Sequence, residues 1–128
     1  MFELKVYLYV GLGGAVGSLL RYVVALASLQ LFGTGFPVGT IFVNLIGAYI
    51  LGWLTAKVIH PHMRAAIGTG LIGSFTTLST LSVDVVTLIH SGTLLIATFY
   101  IFISLIGGLL FAAFGFRMGE QREVGEEK

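Results

Sequence analysis

Six of the nine residues from Ser74 to Ser82 carry a hydroxyl (Ser74, Thr76, Thr77, Ser79, Thr80 and Ser82), inside a stretch otherwise apolar enough to cross a bilayer. Gly70 and Gly73 precede them. Glycine and β-branched threonine both weaken a helix. A hydroxyl withdrawn from water must find a partner. One reading is a helix that breaks inside a membrane protein, its backbone lining a cavity or holding an ion. The other is a continuous helix made for close contact, each hydroxyl returned to the carbonyl four residues back. The stretch taken alone is compatible with both.

Composition decides the setting. The 128 residues are 56% hydrophobic and 10% charged, against about 25% charged in soluble domains. Too few charges remain to cover a water-soluble domain of this length, so the chain reads as an integral membrane protein of one domain. It contains no cysteine, which excludes disulfides and thiolate metal sites. A net charge of +1, with no basic patch interleaved with aromatics, gives no support to nucleic-acid binding. The first apolar segment is longer than the core of a signal peptide and carries Glu3 beside Lys5, so it reads as a retained span.

Four segments are long enough to cross, a bilayer requiring about 20 apolar residues. They are expected at about 6–31, 39–58, 63–89 and 93–116, with 117–128 a charged, frayed tail. In the first, Gly13 and Gly17 share a face, and Arg21 continues the stripe. The glycines let another helix approach closely. The arginine must face protein, water or a helix end, or else snorkel to the far interface. The glycine run nearly spells a dinucleotide fingerprint, but Val16 stands where its last glycine should be and no βαβ context exists, so that reading fails. In the second segment, Thr40, Asn44, Ala48 and Gly52 form a polar-to-small stripe. Asn44 can serve an anion or bond a neighbouring helix. In the fourth, Tyr100, Ser104, Gly108 and Ala112 share a face. Asp84 and His90 fall toward the far end of the third and are expected at the interface. His60 and His62, two residues apart in a loop without a carboxylate, make a poor metal site.

Six of the seven Lys and Arg residues (Lys5, Lys57, Arg64, Arg117, Arg122, Lys128) lie on the side shared by both termini and the middle loop. The positive-inside rule places that side in the cytoplasm.

No span holds a nucleophile–base pair, a metal-ligand cluster or paired carboxylates, so catalysis is not expected. The embedded polar groups are mainly donors, which suits an anion shedding its hydration shell. A proton-coupled cation or drug exporter, the main rival among small four-span chains, needs a titratable acid in the bundle. Asp84 is its only candidate. A non-transporting assembly subunit would use the small-residue stripes but not Asn44 together with the hydroxyl row.

Three motifs then carry a resemblance over essentially the whole chain: Gly13-Gly14-Ala15-Val16-Gly17 followed by Arg21-Tyr22; Pro37-Val38-Gly39-Thr40 followed by Val43-Asn44-Leu45-Ile46-Gly47; and Gly70 to Ser82. In order and spacing the sequence resembles the small dimeric fluoride channels called Fluc or CrcB. The resemblance implies an all-α membrane protein of four transmembrane helices, the third broken mid-membrane. It implies a dual-topology antiparallel dimer in the cell membrane, with two narrow pores passing fluoride passively and relieving its toxicity. It also implies a structural, non-transported Na⁺ held by the main-chain carbonyls of Gly73 and Thr76. Asn44 would be the pore amide, with Thr77, Ser79, Thr80, Leu78 and Leu81 beside the pore, Tyr100 and Ser104 in the polar track, and Arg21 the arginine of the first motif.

The sequence departs from the family pattern at Leu78 and Leu81, where the family usually has phenylalanine. A ring offers a positive edge to an anion; leucine does not. With the one-sided charge, this raises the expectation that the chain pairs with a paralogous partner, either conducting with it or serving as its non-conducting subunit.

Overall fold

The computed structural model describes residues 2–126, and their regular structure is all helical. Helix α1 is Phe2–Phe32 and α2 is Val38–Ala56. The third span is assembled from pieces: α3 (Pro61–Arg64), a wide π-helical stretch (Ala65–Ile72), α4 (Gly73–Phe75) and α5 (Leu78–His90). The last helix, α6, is Leu94–Glu126. Among the described residues four segments are long and apolar enough to cross a membrane: Glu3–Phe32, Val38–Ala56, Pro61–His90 and Leu94–Glu120.

The connections follow local chemistry. Gly33 and Gly92 take φ of +73° and +77°, the left-handed region that glycine enters without strain. Each closes a helix end, Gly33 N–H bonding Leu29 O and Gly92 N–H bonding Ile89 O. Pro61 opens α3, where its missing N–H costs nothing. The imidazole of His60 accepts the N–H of His62 there. The expected charged tail is corrected in part: α6 continues through Glu126 rather than ending near Phe116, and Lys128 lies outside the described residues. Glu, Gln, Arg and Met are good helix formers, so an ordered helix carries the charges past the apolar stretch.

Spans pack where side chains are missing. A β-carbon at Gly13 would overlap the carbonyl oxygen of Ala66, and one at Gly17 would overlap that of Leu71 and the hydroxyl of Ser74. The stripe read from the sequence therefore presses α1 against the third span, backbone to backbone. Gly70 answers from the other side, close to Val10 O. The second such seam joins α2 to α6, with Gly52 against Ala112 O, Gly115 against Tyr49 O and Gly119 against Trp53 O. Packing of this kind replaces the hydrophobic effect, which lipid does not supply between helices.

Few side chains are fully enclosed. Val43, Leu54, Ile72, Phe75, Leu88, Ala97 and Tyr100 form the interior, while most Leu and Phe side chains face outward, as lipid-facing surfaces require.

Candidate functional site

The third span breaks at two residues. Thr76 (φ −79°, ψ 159°) and Thr77 (φ −152°, ψ 124°) are extended, and α5 restarts at Leu78 with Thr77 as its N-cap, the threonine hydroxyl accepting the N–H of Thr80 at 3.1 Å. The extended Thr77 N–H has lost its helical acceptor and must replace it. Asn44 of α2 meets both polar groups of Thr77: the N–H donates to Asn44 Oδ1 at 2.7 Å, and Asn44 Nδ2 donates to Thr77 O at 2.9 Å. One turn further along α2, Gly47 makes room for Thr76, whose methyl a β-carbon would strike.

The span breaks, yet three of the hydroxyls still return to backbone carbonyls. Ser74, Thr76 and Ser82 return their hydroxyls to Leu71 O (3.1 Å), Ile72 O (3.0 Å) and Leu78 O (2.9 Å). Thr77, Ser79 and Thr80 instead gather: Thr77 Oγ1 donates to Thr80 Oγ1 at 3.1 Å and lies 3.3 Å from Ser79 Oγ. Thr77 is buried, whereas Ser79 and Thr80 are exposed, so the cluster runs from the interior outward.

The break also releases carbonyls. In an unbroken helix Gly73 O would receive the N–H of Thr77, and Thr76 O that of Thr80. The first goes to Asn44 and the second to the Thr77 hydroxyl. Gly73 and Thr76 line a cavity of about 350 Å³ together with Asn44, Gly47, Thr77 and Leu78. Hard main-chain oxygens without a helical donor are the donor set a sodium ion takes, so these residues fit the ion. Gly73 itself remains helical (φ −59°, ψ −35°).

A second polar knot ties three spans. Asp84 Oδ2 accepts from Thr40 Oγ1 at 2.8 Å and from Tyr100 OH at 3.0 Å. Asp84 is half-buried and bound to α2 and α6. Tyr100 is fully enclosed, its ring edge-on to Phe36, with Leu81, Val85, Leu88 and Ala97 around it. Its hydroxyl proton is therefore engaged by the carboxylate. Ser104 Oγ is shielded from solvent and has no hydrogen-bond partner. A larger groove of about 580 Å³ runs from Thr77 and Thr80 past Asp84 and Thr40 to the α1–α2 turn, and Arg21 lines it.

The two leucines part company. Leu81 packs against the Tyr100 cluster, while Leu78 is 78% exposed and presents an apolar surface at the rim of the cavity beside the break. Phe75 is buried and offers no edge to that surface. Among the described residues no group of three or more His, Asp or Glu side chains could hold a metal. His60 and His62 are stacked on each other at 4.9 Å.

The sequence reading missed the roles of Thr40 and Asp84. The available signal was that Asp84 is the only acid in the interior of the spans, and a lone carboxylate there has to recruit donors.

Residues 8–116 match the family described as "CrcB-like protein, Camphor Resistance (CrcB)". The chain is 38% identical over 120 residues to "Fluoride-specific ion channel FluC 1" of Bacillus cereus, covering 90% of this chain and 88% of the relative. It is 43% identical over 103 residues to "Fluoride-specific ion channel FluC" of Shewanella amazonensis, covering 77% and 83%. It is 43% identical over 110 residues to "Fluoride-specific ion channel FluC 2" of Geobacillus kaustophilus, covering 82% and 85%. With the match running from the first span to the end of the fourth, this four-span chain with its clamped helix break belongs to the CrcB family.

Proposed function

We propose that this chain forms a fluoride-selective channel that lets fluoride leave the cell passively. The observation that carries the reading is the hydroxyl cluster Thr77, Ser79 and Thr80 at a helix break inside a span, in a chain related to fluoride-specific channels. Fluoride is small and strongly hydrated, so only closely spaced donors can offset its dehydration. Ser79 and Thr80 supply hydroxyl donors that Thr77, whose own proton goes to Thr80, holds in place, Ser104 supplies one that no protein group has claimed, and Asn44 retains a second Nδ2 hydrogen beyond the one given to Thr77. Leu78 and Leu81 form the apolar wall. Tyr100 serves the path through Asp84, which its hydroxyl holds in place. Arg21, lining the groove, contributes positive potential over the approach. The direct test is fluoride efflux from liposomes containing the purified chain, followed with a fluoride electrode.

The exporter alternative depends on Asp84 as a proton carrier. Hydroxyl donors from two different helices hold one of its oxygens, which supports a fixed structural role instead.

The working unit in this reading is an antiparallel dimer in the cell membrane, its termini cytoplasmic where orientation is fixed. The second subunit is a copy of the chain or a paralogous chain. The exposed Leu78 and the one-sided charge favour a paralogous partner that brings the phenylalanines. A sodium ion would be held by the carbonyls of Gly73 and Thr76 and supply fixed positive charge where two breaks meet; it is structural and not transported.

A further inference from the structure

We propose that Asn44 is a positioning residue whose side-chain amide, by pairing with both polar groups of the Thr77 backbone, holds the helix break in register and thereby fixes the spacing of the Thr77, Ser79 and Thr80 hydroxyls. This deepens the channel reading and rests on it for the consequence to flux, but the pairing itself stands apart from it. A residue at φ −152°, ψ 124° directs its own N–H and C=O to the same side, as on a strand edge. A primary amide carries a donor and an acceptor with matching separation. Bonds of 2.7 and 2.9 Å show the two units in register. Among side chains only Asn and Gln present both groups, and Gln is longer by a methylene. The room for that methylene is closed because α2 abuts the break at Gly47, where Thr76 fills the space of a β-carbon.

The hydroxyls downstream inherit their places from this pairing. Thr77 Oγ1 is bonded to Thr80 N–H and Thr80 Oγ1 and sits beside Ser79 Oγ. Once the Thr77 backbone is fixed to α2, all three hydroxyls are fixed to α2. Without the amide, the buried Thr77 N–H would be left unmet, and Thr76–Thr77 would lose its fixed place against α2. The start of α5 would loosen with it.

Amide hydrogen exchange in the full-length, isotope-labelled protein in nanodiscs tests the pairing without fluoride. In the unmodified chain, one Asn44 Nδ2 hydrogen should exchange at least tenfold more slowly than the other, and Thr77 N–H should be protected. In Asn44→Ala, Thr77 exchange should accelerate at least tenfold while the amides of Ala97 to Tyr100 keep their rates. Both Nδ2 hydrogens exchanging like a free amide, or Thr77 unchanged in Asn44→Ala, would overturn the pairing, whatever the channel conducts. The unmodified chain keeps the test decisive if a variant misfolds. The positioning role is read from a series, Asn44→Gln, Asn44→Ser and Asn44→Ala, in which fluoride efflux should fall in the order that Thr77 protection falls. Efflux lost while Thr77 protection is retained would defeat the positioning role and leave the channel reading intact.

Discussion

Tyr100, fully enclosed and bonded to Asp84, is the residue whose chemistry is most constrained by its neighbours. Tyr100→Phe keeps the ring in its cluster and removes one of the two donors on Asp84 Oδ2. The expected cost is about 0.6–2 kcal/mol, the range of hydrogen bonds between membrane helices, seen as a lower thermal midpoint in detergent. Asp84→Asn should be tolerated better than Asp84→Leu, because an amide oxygen can still accept from Thr40 and Tyr100. Asn44→Asp is expected to abolish fluoride efflux, measured with any required partner present. It sets one oxygen against Thr77 O, where an N–H now donates, and puts negative charge on the cavity wall. Undiminished efflux in that variant would remove Asn44 from the path.

At the scale of elements, the third span gathers the consequences of its composition. Glycines and hydroxyls in its middle left a break and a close-packed helix both open, and only the family resemblance favoured the break; the small-residue stripe made the close approach of α1 legible. The place where the backbone becomes extended was less so, because Thr76–Thr77 is defined by Asn44 and Gly47 of another span, and residue types alone carry no pairing across 33 positions. The partners of Asp84 were hidden for the same reason: Thr40 and Tyr100 lie on α2 and α6. The π-helical stretch before the break had no signature beyond Gly68 and Gly70. Gly73→Ala tests the break as an element. A β-carbon there would meet only Gly68 O at 3.8 Å, an ordinary contact, so the chain should fold with an undiminished yield. Alanine favours helix over glycine by about 0.8–1.0 kcal/mol, which biases the span toward closing. Efflux should fall and its dependence on sodium should weaken; unaltered efflux and sodium response would separate the break from ion binding. Gly17→Val, by contrast, collides with Leu71 O and Ser74 and should cost about 1–3 kcal/mol of stability, read as loss of monodisperse protein on size-exclusion chromatography.

For the whole molecule, charge and apolar surface give the predictions on assembly. With six of seven Lys and Arg residues on one side, insertion should be held with the termini in the cytoplasm. The native chain has no cysteine, so Ser91→Cys and His62→Cys can be labelled without background. Ser91→Cys should react with an impermeant reagent from outside, and His62→Cys only after the membrane is opened. Reaction of both from outside, together with robust efflux from the purified single chain, would replace the paralogous pair with a symmetric dimer. The pairing of Asn44 with Thr77 also has a bearing on biogenesis. The chain is made from its N-terminus, and Asn44 precedes Thr77 by 33 residues, so α2 is already synthesised when the third span leaves the ribosome. Membrane helices insert first and dock afterwards. The third span can therefore enter the bilayer as one continuous rod, its peptide groups internally bonded, and exchange the helical bond of Thr77 N–H for the waiting amide only on docking. In that order of events the bend would come late in maturation, with α2 as its intramolecular template.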